Sequence, residues 1–264
     1  MKTLNGLLAA LLVAGCAHAR PEPQLRPAPP RLQLFLLAGQ SNMAGRGVVE
    51  AEDRVPNPRV LMLDKDVQWV PAADPVHFDK AIAGVGPGRA FGLAIARSDP
   101  AAYVGLIPAA VGGSPILSWQ PGATDAATKQ MAYDNAITRA RAAMQRGELK
   151  AILWHQGESD SREPMASAYG ARLRALIVQF RTDLGDPELP ILIGQLGHFD
   201  GAPWGAAKSR VDSVHRALAR ELRNVAYVSS EGLKDKGDTT HFDAPSAREL
   251  GRRYADAYLS MHRR

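Results

Sequence analysis

Cysteine is nearly absent from this 264-residue chain, which has only Cys16 and therefore cannot form an internal disulfide. Long apolar runs are also lacking, since the apolar stretch 7–13 is too short to span a bilayer as a helix. Aromatic residues make up 6% of the chain and are not interleaved with its basic residues. The net charge of +5 is dispersed among acidic residues, so the sequence predicts no nucleic-acid partner.

The first 30 residues have the composition of an export and anchoring segment. Lys2 precedes the apolar stretch 7–13, as in a cleaved export signal. Small residues directly before Cys16 resemble the lipobox of bacterial lipoproteins, which implies cleavage before Cys16 and a lipid anchor on it. A soluble secreted protein cut nearby is the alternative. We expect a signal peptide over 1–15, a proline-rich tether over 16–30, and a location in the bacterial cell envelope at a membrane.

Residues 31–264 are long enough for one α/β core, and no linker rich in proline, glycine or serine divides them. Five apolar runs are nearly continuous, which is typical of parallel strands covered on both faces. Stretches with helical spacing lie between them. We expect one domain, a three-layer α/β/α sandwich with a five-stranded parallel sheet. The expected strands are 32–37, 102–107, 151–154, 190–194 and 225–228, and the expected helices are 90–97, 131–146, 164–184, 206–223 and 245–262.

The candidate functional residues follow the predicted strands, because ligands bind outside the carboxyl ends of parallel strands. Ser41 follows the first strand, and the glycine pair 112–113 follows the second. A polar cluster at 154–160 follows the third strand. After the fifth strand, Asp238 precedes His241 by three residues, so one turn can bring the two side chains together. Each feature alone also fits a helix cap or a tight turn.

Together these residues supply what ester hydrolysis needs: a nucleophile, a base of near-neutral pKa and donors for the developing negative charge. The chain order serine, aspartate, histidine differs from that of the proteases, but triads are recognised by their roles. The chain has no G-x-S-x-G segment, which argues against an ordinary α/β-hydrolase lipase.

The chain resembles the SGNH (GDSL-like) hydrolase superfamily and, within it, carbohydrate esterase family 6 with the related sialate O-acetylesterase domain. The resemblance rests on five segments in the family's order: G-Q-S-N-M at 39–43, G-V-G-P-G-R-A-F-G at 84–92, G-G-S-P-I at 112–116, W-H-Q-G-E-S-D at 154–160 and D-T-T-H-F-D at 238–243. The superfamily usually has asparagine in the fourth of these segments, where this chain has the glutamine expected of the carbohydrate esterase branch. The resemblance implies a flavodoxin-like fold.

The resemblance also implies roles for individual residues. Ser41 is the expected nucleophile, His241 the general base and then acid, and Asp238 the carboxylate that orients His241. The expected oxyanion donors are the backbone N–H groups of Ser41 and Gly113 and the side-chain amide of Gln156.

Four further residues have open roles. Gly112 is the less favoured alternative to Gly113. Glu158 orders its own loop or the catalytic histidine, or it serves only the fold. Trp119 and Trp204 line the substrate cleft or pack at the edge of the core.

We therefore expect an exported serine esterase that removes O-acetyl groups from a carbohydrate, without a cofactor. The motifs are compatible with three acetylated substrates, namely xylan, another polysaccharide and sialic acid, because specificity depends on loop shapes that motifs do not encode. Metal-dependent hydrolysis is disfavoured because the H-F-D segments at 77–79, 198–200 and 241–243 lack an H-E-x-x-H spacing. A glycan-binding lipoprotein without activity, and lipase, thioesterase or acyl-transfer activity, are the alternatives.

Overall fold

The computed structural model describes residues 31–262. The strands are β1 Leu32–Gly39, β2 Val60–Leu63, β3 Trp69–Pro71, β4 Val104–Pro108, β5 Gly147–His155, β6 Ile191–Gly194 and β7 Val225–Val228. The helices are α1 Ser41–Ala44, α2 Pro87–Ser98, α3 Ala132–Met144, α4 Met165–Leu184, α5 Ala206–Glu221 and α6 Ala244–Met261. The expected signal peptide, tether and Cys16 lie outside the described residues.

The strands form one sheet in the order β3-β2-β4-β1-β5-β6-β7, in which β3 alone runs antiparallel to its neighbour. The strand β1 lies inside the sheet and is buried on both faces, which explains its continuous apolar sequence. Leu34 and Leu36 pack in the cluster that holds α3, α4 and α5. Phe35 and Leu37 pack in the cluster that holds α2 and α6. The expected three-layer α/β/α sandwich is confirmed.

The five expected strands correspond to β1, β4, β5, β6 and β7, which follow the flavodoxin-like order β4-β1-β5-β6-β7. The expected strand number is corrected from five to seven by the short hairpin of β2 and β3 at one edge of the sheet. Only Val60 and Leu63 of β2 are buried, and β3 has three residues and no buried one. A half-exposed edge hairpin therefore lacks the long apolar run by which the inner strands were predicted.

The five expected helices are present, with ends within three residues of the expected positions. The helix α2 begins at Pro87, a residue favoured at the first helical position because its missing N–H is not needed there. Asp243 caps α6 by accepting a hydrogen bond from the Ser246 N–H at 2.8 Å. Across residues 31–262, none of the helices combines the length and the apolar character that crossing a membrane requires.

Candidate active site

Ser41 lies where β1 ends, at the carboxyl edge of the sheet. Gly39 makes this end possible, because it has φ +128° and a Cβ there would lie 2.1 Å from the carbonyl oxygen of His155. The N–H of Gln40 donates to the same oxygen at 2.8 Å. The chain is thus held against β5 and turns directly into α1, which presents Ser41 as its first residue.

Three side chains predicted from the sequence form a continuous hydrogen-bonded row. His241 Nε2 lies 2.9 Å from Ser41 Oγ. On the other side of the ring, His241 Nδ1 lies 2.7 Å from Asp238 Oδ2. A carboxylate can only accept, so Nδ1 carries the proton and Nε2 presents its lone pair to the serine hydroxyl. This is the arrangement in which a histidine can take the proton of a serine nucleophile.

Asp238 is held as a carboxylate by its surroundings. Partial burial raises its pKa, but the hydrogen bonds from the His241 side chain and from the backbone N–H groups of His241 and Thr240 outweigh burial, so the pKa lies well below its usual value. The ammonium group of Lys236 also lies 3.3 Å from Oδ2. A charged Asp238 stabilises the imidazolium that forms when His241 takes a proton.

Asn42 connects the serine segment (residues 39–43) to the histidine loop (residues 238–243), a role that the sequence analysis missed. Its Nδ2 donates to Glu158 Oε1 at 2.6 Å and to the Thr240 carbonyl at 3.0 Å, and its Oδ1 accepts from the Phe242 N–H at 3.2 Å. These bonds hold the backbone on both sides of His241, at Thr240 and at Phe242. The only available sequence signal was the position of Asn42 directly after the nucleophile.

The loop after β4 offers one of its two glycine N–H groups to a ligand. The N–H of Gly112 donates to Asp79 Oδ2 at 2.7 Å and is therefore already used. Within residues 31–262, neither Gly113 N–H nor Ser41 N–H has a protein acceptor. Gly113 adopts φ +82°, which favours glycine. This geometry favours Gly113 over Gly112 as an oxyanion donor.

Gln156 is not placed as the sequence analysis predicted. Its side chain is fully buried, and Nε2 lies 2.6 Å from Asp160 Oδ2, 3.2 Å from Gln40 Oε1 and 3.2 Å from the Ser114 carbonyl. Three acceptors compete for its two hydrogens. The oxyanion role predicted for Gln156 is therefore corrected: the amide ties together loops beneath the site and has no hydrogen left for a ligand.

Glu158 supports the serine segment rather than His241. Its Oε1 accepts from Asn42 and lies 3.7 Å from His155 Nε2. His155 is fully buried, and this burial lowers its pKa, although the charge of Glu158 raises it in part. The ring is therefore neutral at neutral pH. Glu158 and Asn42 together brace α1 against the loop that follows β5.

The two tryptophans differ in position. Trp119 is 1% exposed, packs edge to face on Trp154 at 5.0 Å and donates its Nε1–H to Ser114 Oγ at 3.0 Å. It is a core residue beneath the glycine loop and does not line the cleft. Trp204 is half-buried and donates to the Gly197 carbonyl at 2.8 Å. None of the contacts described for Trp204 is with the triad, so its place in the cleft stays a prediction.

The H-F-D segments have separate structural contacts. His77 Nε2 lies 3.3 Å from the Leu37 carbonyl, and Asp79 holds the glycine loop. Among residues 31–262, no three histidine, cysteine, aspartate or glutamate side chains are grouped as metal ligands.

Comparison with known proteins adds to this geometry. The family model described as "Carbohydrate esterase, sialic acid-specific acetylesterase" matches residues 31–260. A probable carbohydrate esterase from Arabidopsis thaliana is 36% identical over an alignment of 263 positions, and the alignment covers 91% of this chain and 95% of the relative. A crystal structure of the Arabidopsis protein superposes with a TM-score of 0.77 at 34% identity and covers 88% of this chain and 99% of its own.

Two more distant structures share the fold. NanS superposes with a TM-score of 0.73 at 16% identity, over 88% of this chain and 98% of its own. A carbohydrate acetylesterase from Xanthomonas citri superposes with a TM-score of 0.66 at 22% identity, over 87% of this chain and 56% of its own. The family match covers nearly all described residues and includes the serine, aspartate and histidine described above. The chain belongs to the sialic acid-specific acetylesterase family of carbohydrate esterases and is a carboxylic ester hydrolase.

Proposed function

We propose that this chain is a serine esterase that removes O-acetyl groups from carbohydrates through an acetyl-enzyme on Ser41. The observation that carries the proposal is the hydrogen-bonded row from Asp238 through His241 to Ser41, at 2.7 and 2.9 Å. The backbone N–H groups of Ser41 and Gly113, which lack protein acceptors among residues 31–262, support it.

In the first half-reaction, Ser41 Oγ attacks the acetyl carbonyl carbon while its proton passes to His241 Nε2. The carbonyl oxygen becomes negative and accepts hydrogen bonds from the two N–H groups. The intermediate then collapses, and the sugar hydroxyl leaves with the proton from His241. In the second half-reaction, a water molecule gives one proton to His241 and its oxygen bonds to the acetyl carbon. The bond from that carbon to Ser41 Oγ then breaks, His241 returns the proton to Oγ, and the product leaves as acetic acid, which ionises to acetate.

The proposed substrate is a sugar that carries an O-acetyl group, with O-acetylated sialic acid named by the family description. We would measure acetate release from O-acetylated sialic acid, acetylated xylan and p-nitrophenyl acetate, with and without a chelator. Wild-type protein should release acetate from at least one of the two glycans regardless of the chelator, and Ser41→Ala should not. Loss of activity with the chelator would indicate metal-dependent hydrolysis, and an inactive wild-type protein would indicate a glycan-binding module.

We further propose that the protein is an exported lipoprotein anchored through Cys16. The short apolar stretch and the small residues before this cysteine support the proposal. Because the chain has one cysteine, the Cys16→Ser variant is a clean control. Expression with a labelled fatty acid should label the wild-type protein in the membrane fraction and leave Cys16→Ser unlabelled. Equal labelling of both proteins, or of neither, would contradict the proposal.

A further inference from the structure

Gln40 stands directly before Ser41, and its side-chain amide has a defined orientation. Its Oε1 lies 3.4 Å from the Gly157 N–H nitrogen, 3.3 Å from that of Ser159 and 3.2 Å from Gln156 Nε2. Backbone N–H groups can only donate, so the atom that faces them must be the oxygen of the amide. The nitrogen of Gln40 therefore faces away from the loop that follows β5.

The two N–H bonds of this nitrogen are available to a ligand. Within residues 31–262, Gln40 Nε2 has no hydrogen-bond acceptor, although the residue as a whole is only 2% exposed. The Gln40 nitrogen is not fully enclosed by protein atoms. It therefore keeps some contact with solvent, one residue before the nucleophile. An amide nitrogen in such a position can form strong hydrogen bonds because little water competes for it.

The residues that contact the Gln40 amide also contact the loop that contains Gly113. Ser159 Oγ donates to the Gly113 carbonyl at 2.9 Å, and Gln156 Nε2 lies 3.2 Å from the Ser114 carbonyl. The loop that holds Gln40 is thus joined to the loop that offers the Gly113 N–H. One set of hydrogen bonds thus runs from the Gln40 side chain, through Gln156 and Ser159, to the carbonyls of Gly113 and Ser114.

We propose that the side-chain amide of Gln40 is the third donor to the oxyanion, and that Gln156 positions it from beneath. This inference rests on the proposed function, since it assigns a donor to the intermediate on Ser41. When Ser41 Oγ bonds to the carbonyl carbon, the π electrons of the C=O bond move to the oxygen, which then accepts from Gln40 Nε2–H. No covalent bond of Gln40 forms or breaks, and the contact relaxes when the C=O bond returns.

The test is the Gln40→Glu variant, which keeps the acceptor oxygen and the chain length but replaces the donor with an oxygen. Gln195→Glu is the matched control, because Gln195 is also buried and its Oε1 accepts from the Ser230 N–H at 2.7 Å and Ser229 Oγ at 3.0 Å. We expect Gln40→Glu to lower kcat for an acetyl ester by about 10²–10³ with little change in KM. Gln195→Glu should keep the wild-type kcat.

Binding of a trifluoromethyl ketone gives a second readout, because its serine adduct carries the same oxyanion. Its affinity should fall in Gln40→Glu by a factor similar to that in kcat, a change that loss of a merely structural contact would not produce. If Gln40→Glu does not fold, Gln40→Met is measured in its place, with the same expected pattern.

Wild-type kcat and inhibitor affinity in folded Gln40→Glu would overturn the assignment, as would an equal loss of kcat in Gln195→Glu. These results are distinguishable from failure of the proposed function, which an active Ser41→Ala variant would show.

Discussion

Asn42→Asp tests whether the hydrogen bonds of the Asn42 side chain to Glu158 and to the Thr240 carbonyl set the distance from Ser41 to His241. The substitution keeps the size of the side chain but removes both hydrogens of Nδ2, which donate to Glu158 and to the Thr240 carbonyl. Two carboxylates would then face each other where a 2.6 Å hydrogen bond now lies. The Thr240 carbonyl next to His241 would also lose its donor, so the histidine loop should shift relative to the serine.

The expected magnitude follows from burial. The Glu158 side chain is 10% exposed and its Oε2 has no partner among the described residues, so loss of the Asn42 donor leaves a poorly solvated carboxylate. Losing a hydrogen bond to a charged group and leaving its partner buried costs about 3 kcal/mol. For a protein of this size, that lowers Tm by about 6–12 °C. We expect kcat to fall about tenfold to hundredfold with little change in KM, because a displaced catalytic group slows chemistry more than binding.

The destabilisation of Asn42→Asp should depend on pH, because the substitution places a second carboxyl group beside Glu158. Two facing carboxylates share a proton, which raises the pKa of the pair in the folded protein above its unfolded value. The Asn42→Asp variant should therefore be most stable at low pH, and its free energy of unfolding should fall as the pH rises through the raised folded pKa. Thermal unfolding from pH 5 to pH 8.5 should show the Tm of the variant approaching that of the wild type at the acidic end.

The double variant Asn42→Asp with Glu158→Gln is the rescue. Its new amide can donate to the new carboxylate, so the hydrogen bond returns with its direction reversed, and both Tm and kcat should recover in part. Glu158→Gln alone is the control, because its oxygen still accepts from Asn42. Wild-type Tm and kcat in Asn42→Asp at pH 8.5, or a double variant no better than Asn42→Asp, would show that the hydrogen bond between Asn42 and Glu158 does not hold His241 in place.

Two other sites give predictions with separate readouts. Asp238→Asn should keep the fold but lower kcat by up to roughly 10⁴, as in serine-protease triads, whereas Asp243→Ala should cost about 1 kcal/mol of stability and little kcat. Steady-state kinetics and thermal unfolding of both variants check this, and the reverse pattern would exchange their roles. At Asp74, burial and the nearby charge of Asp53 raise the pKa from 3.8 to about 7, so folding loses stability as the pH rises from about 4 to about 7. Asp74→Asn should remove this loss and gain up to about 4 kcal/mol above pH 7, and a gain that did not vary with pH in unfolding curves would contradict it.

The inner part of the fold was predictable because burial on both faces leaves a direct sequence signal. The strands β1, β4, β5, β6 and β7 carry continuous apolar runs, and their alternation with helices indicates a layered parallel sheet, whereas their flavodoxin-like order was implied by the family resemblance. The β2–β3 hairpin was missed because an edge hairpin with few buried residues has no such run. The hairpin joins the sheet through the parallel pairing of β2 with β4, a strand about 40 residues away in the chain, so the local sequence does not reveal it.

The triad was predictable because Asp238 stands three positions before His241 and a family-like segment surrounds Ser41. The direction of the Gln156 side chain was not predictable, since it depends on the buried Asp160 carboxylate that accepts from it. The contacts of Asn42 join residues more than 100 positions apart, which no single segment reveals. Motifs identified which loops form the site, whereas the hydrogen bonds decided which side chains face it.

The proposed function requires Ser41 to carry the acetyl group during turnover. The most direct test is rapid acid quenching of the enzyme with an O-acetylated substrate, followed by peptide mass spectrometry. We predict an added acetyl group on Ser41 in the wild-type protein, more of it in Asp238→Asn if deacetylation is slowed most, and none in Ser41→Ala, which should be folded and inactive. Normal acetate release by Ser41→Ala, or an acetyl group that forms during turnover on another residue, would contradict the account.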